Sequence, residues 1–397
     1  LILPIPSRSW AEDLQFIVTD TARNTHHDDW EKSGKATDGT VWSVDVETLH
    51  GGKQDNVQVV RIDNGKLSMV VVPTRGMSVY EVVAGDVRLG WNSPVKEIVH
   101  PKFINLHDRE GLGWLEGFNE WMVRCGLEFA GHPGTDVMID NTGAEKKQAL
   151  TLHGKIGNIP ASYVEVIVTD ADPPRIRVRG RVDERSFYGP QLELWTEIST
   201  EVGSSTFRID DQLTNRGSDE QEFEIIYHAN HGPPLLDKGA EFVGAVARVM
   251  PMNEHAAASI DNYKTYVGPT PGFVEQVYCI TPLADDAGFT EIMLRNAAAE
   301  KAISMRFKVD ELPYITLWKN TNTLANGYVT GLEPGTNFPF NRRVEREQGR
   351  LSKLAGGATR HFGLEFTVHR ERTTIDQTEK RIQSLQAERR TTIDPAP

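Results

Sequence analysis

Between Arg175 and Val182 the chain reads RIRVRGRV, charged or small residues alternating with branched ones. From Gln191 the stretch QLELWTEIST repeats the alternation, with Leu192, Leu194 and Thr196 on one side. Side chains of a β-strand point alternately to its two faces, so a period of two commits both segments to half-solvated antiparallel strands. The theme recurs at short intervals in SSTFRIDDQLTNRG, QEFEIIYHA, EIMLRNA, AISMRFKV, YITLWKN and RHFGLEFTV, separated by Gly, Pro, Asn and Asp. In NVQVVRIDNGKLSMVVVP two β-rich runs flank Asn64-Gly65, a hairpin signal because both residues tolerate the positive φ of a tight turn. No segment before Arg370 carries a long apolar stripe at helical spacing. The expected fold is all-β, a large antiparallel sandwich or barrel.

The tail differs. From Glu371, ERTTIDQTEKRIQSLQAERRTTIDPAP is rich in helix formers, with Ile375, Ile382 and Leu385 on one side, and predicts one short amphipathic helix. The pentapeptide RTTID recurs at 372 and 390, but two copies are too few for a repeat fold and bracket the helix instead. The expected organisation is an N-terminal extension over 1–39 packed on the sandwich, the sandwich over 40–370, and a helical tail over 371–397 that serves as packing or oligomer surface.

Composition narrows the function. The 397 residues hold 43 basic and 56 acidic side chains, a formal charge of −13, and basic clusters such as NRRVEREQGR are interleaved with acids. Nucleic acid is therefore not an expected partner, since phosphate binding needs a basic face. No apolar run approaches the roughly 18 residues of a membrane span. Two cysteines, Cys125 and Cys279, are too few for a disulfide framework and suggest a reducing, cytoplasmic setting. The opening LILPIPSRSW does not read as a secretory signal, although the missing initiator Met leaves room for a trimmed leader.

Four polar motifs sit at the ends of expected strands. In WMVRCGLEFAGHPG, Arg124 is embedded among apolar residues and needs a carboxylate or a ligand oxygen as partner. In LTLHGKIG, His153 precedes Gly154 and Gly157, glycines that permit close approach of a ligand or another strand. IYHANHGPPLL carries His228, Asn230 and His231, and GYVTGLEPGTNFPFNR carries Glu333 at the end of an apolar run. Desolvation there raises a carboxyl's pKa toward the range useful to a general base. Each residue also has a plain reading: a turn or core histidine, a solvated loop carboxylate, half of a structural ion pair. His228 and His231, three apart, cannot share one face of a strand, although a turn after His228 would bring them together. A metal site from His153, His228 and a carboxylate, or from NTHHDD at 24–29, is the alternative.

Taken in order, RCGLEFAGHP, LHGKIGNIPA, YHANHGPPLL and GLEPGTNFPFNRR with GRLSKLAGGATRHFGLEFTV resemble the aldose 1-epimerase (galactose mutarotase-like) superfamily across roughly residues 40–370. They are most similar to a branch with a Tyr-His-x-Asn-x-Gly-Pro-Pro-Leu-Leu segment. The resemblance implies a galactose mutarotase-like β-supersandwich with a sugar in an open cleft on one concave sheet face. It implies Glu333 as general base and His228 as general acid, His153 on the ring-oxygen side of the sugar, and Arg124 on its hydroxyls. Arg75, Asn230 and His231 are further substrate-binding candidates, and Trp318 is a stacking platform for the sugar's apolar face. Family members usually have Asn-His-x-Tyr-Phe-Asn-Leu at the acid histidine and an aspartate that clamps two hydroxyls, for which Asp261 is the candidate here.

Anomer exchange needs one base to take the proton of the anomeric hydroxyl and one acid to protonate the ring oxygen, with no cofactor and no metal. The expectation is an ionised Glu333 beside a protonated His228. A non-catalytic sugar-binding protein on the same scaffold is a second reading, and an epimerase or lyase on a modified sugar, metal-assisted, a third. The expected partners are a small-molecule sugar and, through the tail, another copy of the chain.

Overall fold

The computed structural model describes residues 13–397, so the opening LILPIPSRSW lies outside the described residues. From Leu14 onward the chain is woven into two large sheets. Leu14–Asp20 pairs antiparallel with Tyr163–Val168, and Trp30–Lys35 pairs with Val41–Leu49. Among the described residues one sheet has ten strands, the other fourteen, and a separate hairpin joins Gly134–Ile139 to Glu145–Leu150.

The alternation read from the sequence is the alternation of burial. Arg175–Arg185 buries every second side chain, and it pairs with Gln191–Glu201 without a register break. The buried sides of this ten-stranded sheet, among them Val178, Leu194, Ile209 and Leu364, share one core with Ile225, Leu317 and Leu332 of the larger sheet. This is a mostly antiparallel β-sandwich, as the alternation predicted. The hairpin at Asn64-Gly65 joins Val57–Asp63 to Ser68–Val72. Its turn is looser than the tight two-residue form: Gly65 alone takes φ +84°, and the Asn64 side chain accepts from Lys66 N and Leu67 N.

The tail helix is Arg372–Gln386. Ile375 and Ile382 pack against Ala245, Met293 and Ala302, and Leu385 leans on the same cluster. The second RTTID copy contributes the short strand Thr392–Ile393, parallel to Val246–Pro251. Cys125 and Cys279 are buried free thiols. Among the described residues no helix is long and apolar enough to cross a membrane.

Five neighbouring strands of the larger sheet position the site: Gln276–Pro282, Tyr314–Asn320, Val329–Gly335, Gln221–His231 and Met122–Leu127, in that spatial order. Each sends alternate side chains into the common core and the others to the face turned away from the smaller sheet. On Gln221–His231 the odd positions Phe223, Ile225, Tyr227 and Ala229 join the core, whereas Ile226 and His228 face outward.

Candidate active site

Residues far apart in sequence fall into one row across these strands. Thr316 pairs with Glu333, and His228 pairs with Val123. Glu333 and His228 meet between the registered pairs Ile226–Gly335 and Ala229–Leu332. His228 Nε2 lies 3.3 Å from Glu333 Oε1, and both side chains are almost completely buried. They form the floor of a cavity of about 290 Å3.

The walls come from loops. Leu112, Trp114, Leu115 and Phe118 descend from the segment before Met122–Leu127, and Leu152 and His153 follow the 134–150 hairpin. Trp318 is half-buried, its ring 5.6 Å from that of His228, and its indole N–H donates to Glu275 Oε2 at 2.8 Å. Glu275 and His132 sit exposed at the mouth.

His153 is held in an uncommon conformation. Its φ is +59°, rare for a residue with a Cβ and frequent at functional sites. Its N–H donates to Gly131 O at 3.0 Å, and its carbonyl accepts from Gly126 N at 3.1 Å. The following Gly154 also has positive φ, and a Cβ there would lie 2.1 Å from Phe129 O and 2.3 Å from Gly126 O. The glycine thus serves approach to another strand, not to a ligand. The ring Nδ1 is 3.0 Å from Ala130 O, which fixes the Nδ1–H tautomer and leaves Nε2 as an acceptor. Burial lowers the imidazole's pKa to about 4, so it is neutral at pH 7. A neutral acceptor nitrogen cannot donate to a sugar ring oxygen. It suits a hydroxyl proton instead.

The electrostatics of the pair also differ from expectation. Desolvation, with the like charge of Glu275, pushes the Glu333 carboxyl well above its usual range. Desolvation, with the neighbouring His153, holds His228 well below the usual imidazole value. Both groups therefore lean to their uncharged forms rather than to a carboxylate–imidazolium pair. Among the described residues no group of three or more His, Cys, Asp or Glu side chains has the arrangement of a metal site. His26 of the NTHHDD run hydrogen-bonds Thr19 and lies 3.5 Å from Asp28 on an edge strand.

Five expected binding residues lie elsewhere. Arg124 points into the sandwich core, where it pairs with Asp211 of the opposite sheet (Nε–Oδ2 2.5 Å, Nη2–Oδ1 2.9 Å) and donates to Met77 O. The Tyr227 hydroxyl donates to the same carboxylate at 2.7 Å. Strand alternation is the reason: Val123 and Cys125 turn to the outward face, where they pack with Trp114 and Phe118, so Arg124 cannot. Arg75 is fully buried against Glu120 (2.8 Å), Gly117 O and Asn158, so it braces the segment that carries Phe118 instead of touching a ligand. Asn230 Nδ2 donates to the carbonyls of Glu120 and His228. His231 continues the strand without a turn and faces the core, where it accepts from Trp121 Nε1 at 3.4 Å. Asp261 is exposed in the turn Ile260–Asn262 and does not line the cavity, so the expected hydroxyl clamp is not there.

Sequence reasoning missed Trp114, Phe118, Leu112, Thr316 and Glu275. The run LGWLEGFNEW was the available signal, since so many large apolar side chains between strands need something to cover.

A two-sheet sandwich with a buried acid–imidazole pair on its outward face defines a galactose mutarotase-like protein. The chain belongs to the family described as "Domain of unknown function (DUF4432)", which matches residues 54–368. A Klebsiella pneumoniae protein described as a "putative aldose 1-epimerase" is 38% identical, with 96% of this chain and 98% of that one covered and a TM-score of 0.90. Two further structures share the fold at low identity. A galactose mutarotase-like protein from Clostridium acetobutylicum is 14% identical (86% and 99% covered, TM-score 0.51). An Escherichia coli K12 protein described as a "putative aldose 1-epimerase" is 13% identical (79% and 99% covered, TM-score 0.50). No curated protein matches the sequence.

Proposed function

We propose that the protein is a carbohydrate isomerase that interconverts the anomers of a cyclic aldose by acid/base ring opening, with Glu333 and His228 as the catalytic pair. The observation that carries this reading is the 3.3 Å approach of His228 Nε2 to Glu333 Oε1 on the floor of a small-molecule-sized cavity. The likeness to a 38% identical protein described as a "putative aldose 1-epimerase" supports it.

The reaction needs a single mobile proton shared by the pair. In the uncharged arrangement Glu333 carries it and His228 offers a lone pair. Ring opening moves the anomeric hydroxyl proton to His228 and the Glu333 proton to the ring oxygen, which leaves a carboxylate beside an imidazolium. After rotation about C1–C2 the same two transfers run backwards on the other face of the aldehyde. Over a full turnover each group acts once as acid and once as base, so burial that favours the uncharged arrangement stores the pair in one of its two working states. His153 Nε2 accepts from a ring hydroxyl, and Trp318 lies against the bound ring.

Exchange spectroscopy by NMR on purified protein tests the proposal. Glu333→Gln and His228→Asn should each reduce anomer exchange at least about a hundredfold, in keeping with the typical worth of one acid/base group. Unchanged exchange in either variant rejects it.

A further inference from the structure

Trp318 lines the cavity half-buried, and the strands on either side do little to fix its angle. In register it stands between Val277 and Gly331, and the glycine gives its ring no side chain to rest on. Phe118 and His228 approach it tilted or edge-on, at 6.1 and 5.6 Å between ring centres, and neither stacks on it. Its indole N–H donates to Glu275 Oε2 at 2.8 Å. Parity puts that carboxylate within reach: Glu275 lies two positions before Val277, so it turns to the same face, diagonally across from Trp318. The loop that leads to Glu275 is tied to the end of the strand that carries Trp318. Thr270 N donates to Thr321 O at 2.9 Å, and Asn322 Nδ2 donates to Phe273 O at 3.3 Å. Donor and acceptor thus share one scaffold.

We infer that Glu275 is a positioning residue: its carboxylate holds the Trp318 indole at the angle at which the ring lies against the bound sugar. This inference rests on the proposed function for the presence of a sugar in the cavity. An indole packs on the apolar face of a pyranose only while the two faces lie flat together, and rotation about its Cα–Cβ bond swings the ring out of contact. A charged acceptor makes a stronger bond to the N–H than a neutral one, so it resists that rotation before any ligand arrives. A ring already held in place loses less freedom when the sugar binds.

Dissociation constants of free aldohexoses, aldopentoses and 6-deoxyaldoses, measured on the full chain, test this, with the tightest binder as probe. Exchange rates are not the readout, because the charge of Glu275 also bears on the Glu333 carboxyl. Glu275→Ala should weaken binding about tenfold, whereas Glu275→Gln, whose amide oxygen still accepts from the indole, should stay within about threefold of the parent. Trp318→Phe keeps a ring but no N–H, so it should lose at least as much as Glu275→Ala, and Glu275→Ala added to it should weaken binding no further. The Trp318 indole proton, assigned in NMR spectra by its absence from Trp318→Phe, should exchange with water faster in Glu275→Ala than in the parent or Glu275→Gln. Unchanged binding in Glu275→Ala overturns the inference, as does a panel with no binder. Glutamine as weak as alanine, or losses that multiply in the double variant, would show that the carboxylate meets the sugar itself and would overturn it too. Glu275 is exposed, so its substitution should not unfold the chain, and the alanine–glutamine comparison decides even if Trp318→Phe does not fold. A probe that follows the expected pattern but shows no anomer exchange above buffer overturns the proposed reaction and leaves the role of Glu275 standing.

Discussion

Gly331 lies beneath the carboxyl group of Glu333: a Cβ at position 331 would stand 2.2 Å from Glu333 Oε1. The two residues face the same side of one strand, and the missing side chain is what lets the carboxyl fold back along the sheet toward Trp318, the cross-strand partner of Gly331. The obstruction would be the far end of a flexible side chain, and Gly331 has no left-handed φ. Gly331→Ala should therefore fold with a melting temperature within a few degrees of the parent while it displaces the carboxyl. Anomer exchange should drop at least about tenfold, as expected when a reacting group moves by about an ångström. Full activity in the folded variant would show that this carboxyl position does not matter.

Arg124 and Asp211 join the two sheets through a fully buried ion pair. Removing one partner leaves the other charge unpaired, so Arg124→Ala should lose about 3–5 kcal/mol of stability in denaturant titrations. The remaining folded protein should keep the parent's KM for sugar. A raised KM with unchanged stability would return Arg124 to the role of a ligand contact.

The pair on the floor should show itself in the pH profile. A carboxyl raised well above 4.5 and an imidazole held well below 6.5 together retain one shared proton across and beyond that interval. The catalysed rate should hold a plateau between the lowered imidazole value and the raised carboxyl value, with an acid limb where both groups are protonated and an alkaline limb where both are bare. An inflection near pH 6.5 with loss of rate above it would instead indicate an ordinary exposed histidine.

Glu224 offers a stability test separate from catalysis. Burial raises its carboxyl to about 8, and Oε2 accepts from Ala130 N at 2.8 Å, a contact that a glutamine oxygen preserves. The folded protein binds this proton more tightly than the unfolded chain, so the wild type loses stability as pH rises from about 4.5 to about 8. Glu224→Gln removes that loss. Its stability advantage over wild type should grow with pH across the window, by up to about 1.4 kcal/mol per unit, and level off above it. A pH-independent difference in urea titrations would contradict the shift.

Much of this architecture was legible because burial on both sheets follows the period of two, visible in RIRVRGRV and QLELWTEIST. Glu333 and His228 stood out in the sequence as candidates, and the structure brings their side chains together, inside strands and not at the strand ends expected of them. What the sequence could not display was which face each strand turns outward. One position separates Val123, which packs on the outward face with Trp114 and Phe118, from Arg124, which faces the core, and three separate His228 from His231. That parity depends on pairing between strands a hundred residues apart. The loop wall of Trp114 and Phe118 was hidden for another reason: loops have no periodicity, so only their excess of apolar residues hints at a covered face. The charge state of the pair escaped because desolvation depends on what the fold packs around each group.

A double-mutant cycle tests most directly whether Glu333 and His228 work as one proton-sharing unit. Anomer exchange by NMR would be compared in wild type, Glu333→Gln, His228→Asn and the double variant, with circular dichroism confirming that each is folded. If the pair is a unit, each single change removes nearly all catalysis and the double variant is scarcely slower than either. Losses that multiply in the double variant, or a single variant that keeps wild-type exchange, would contradict it.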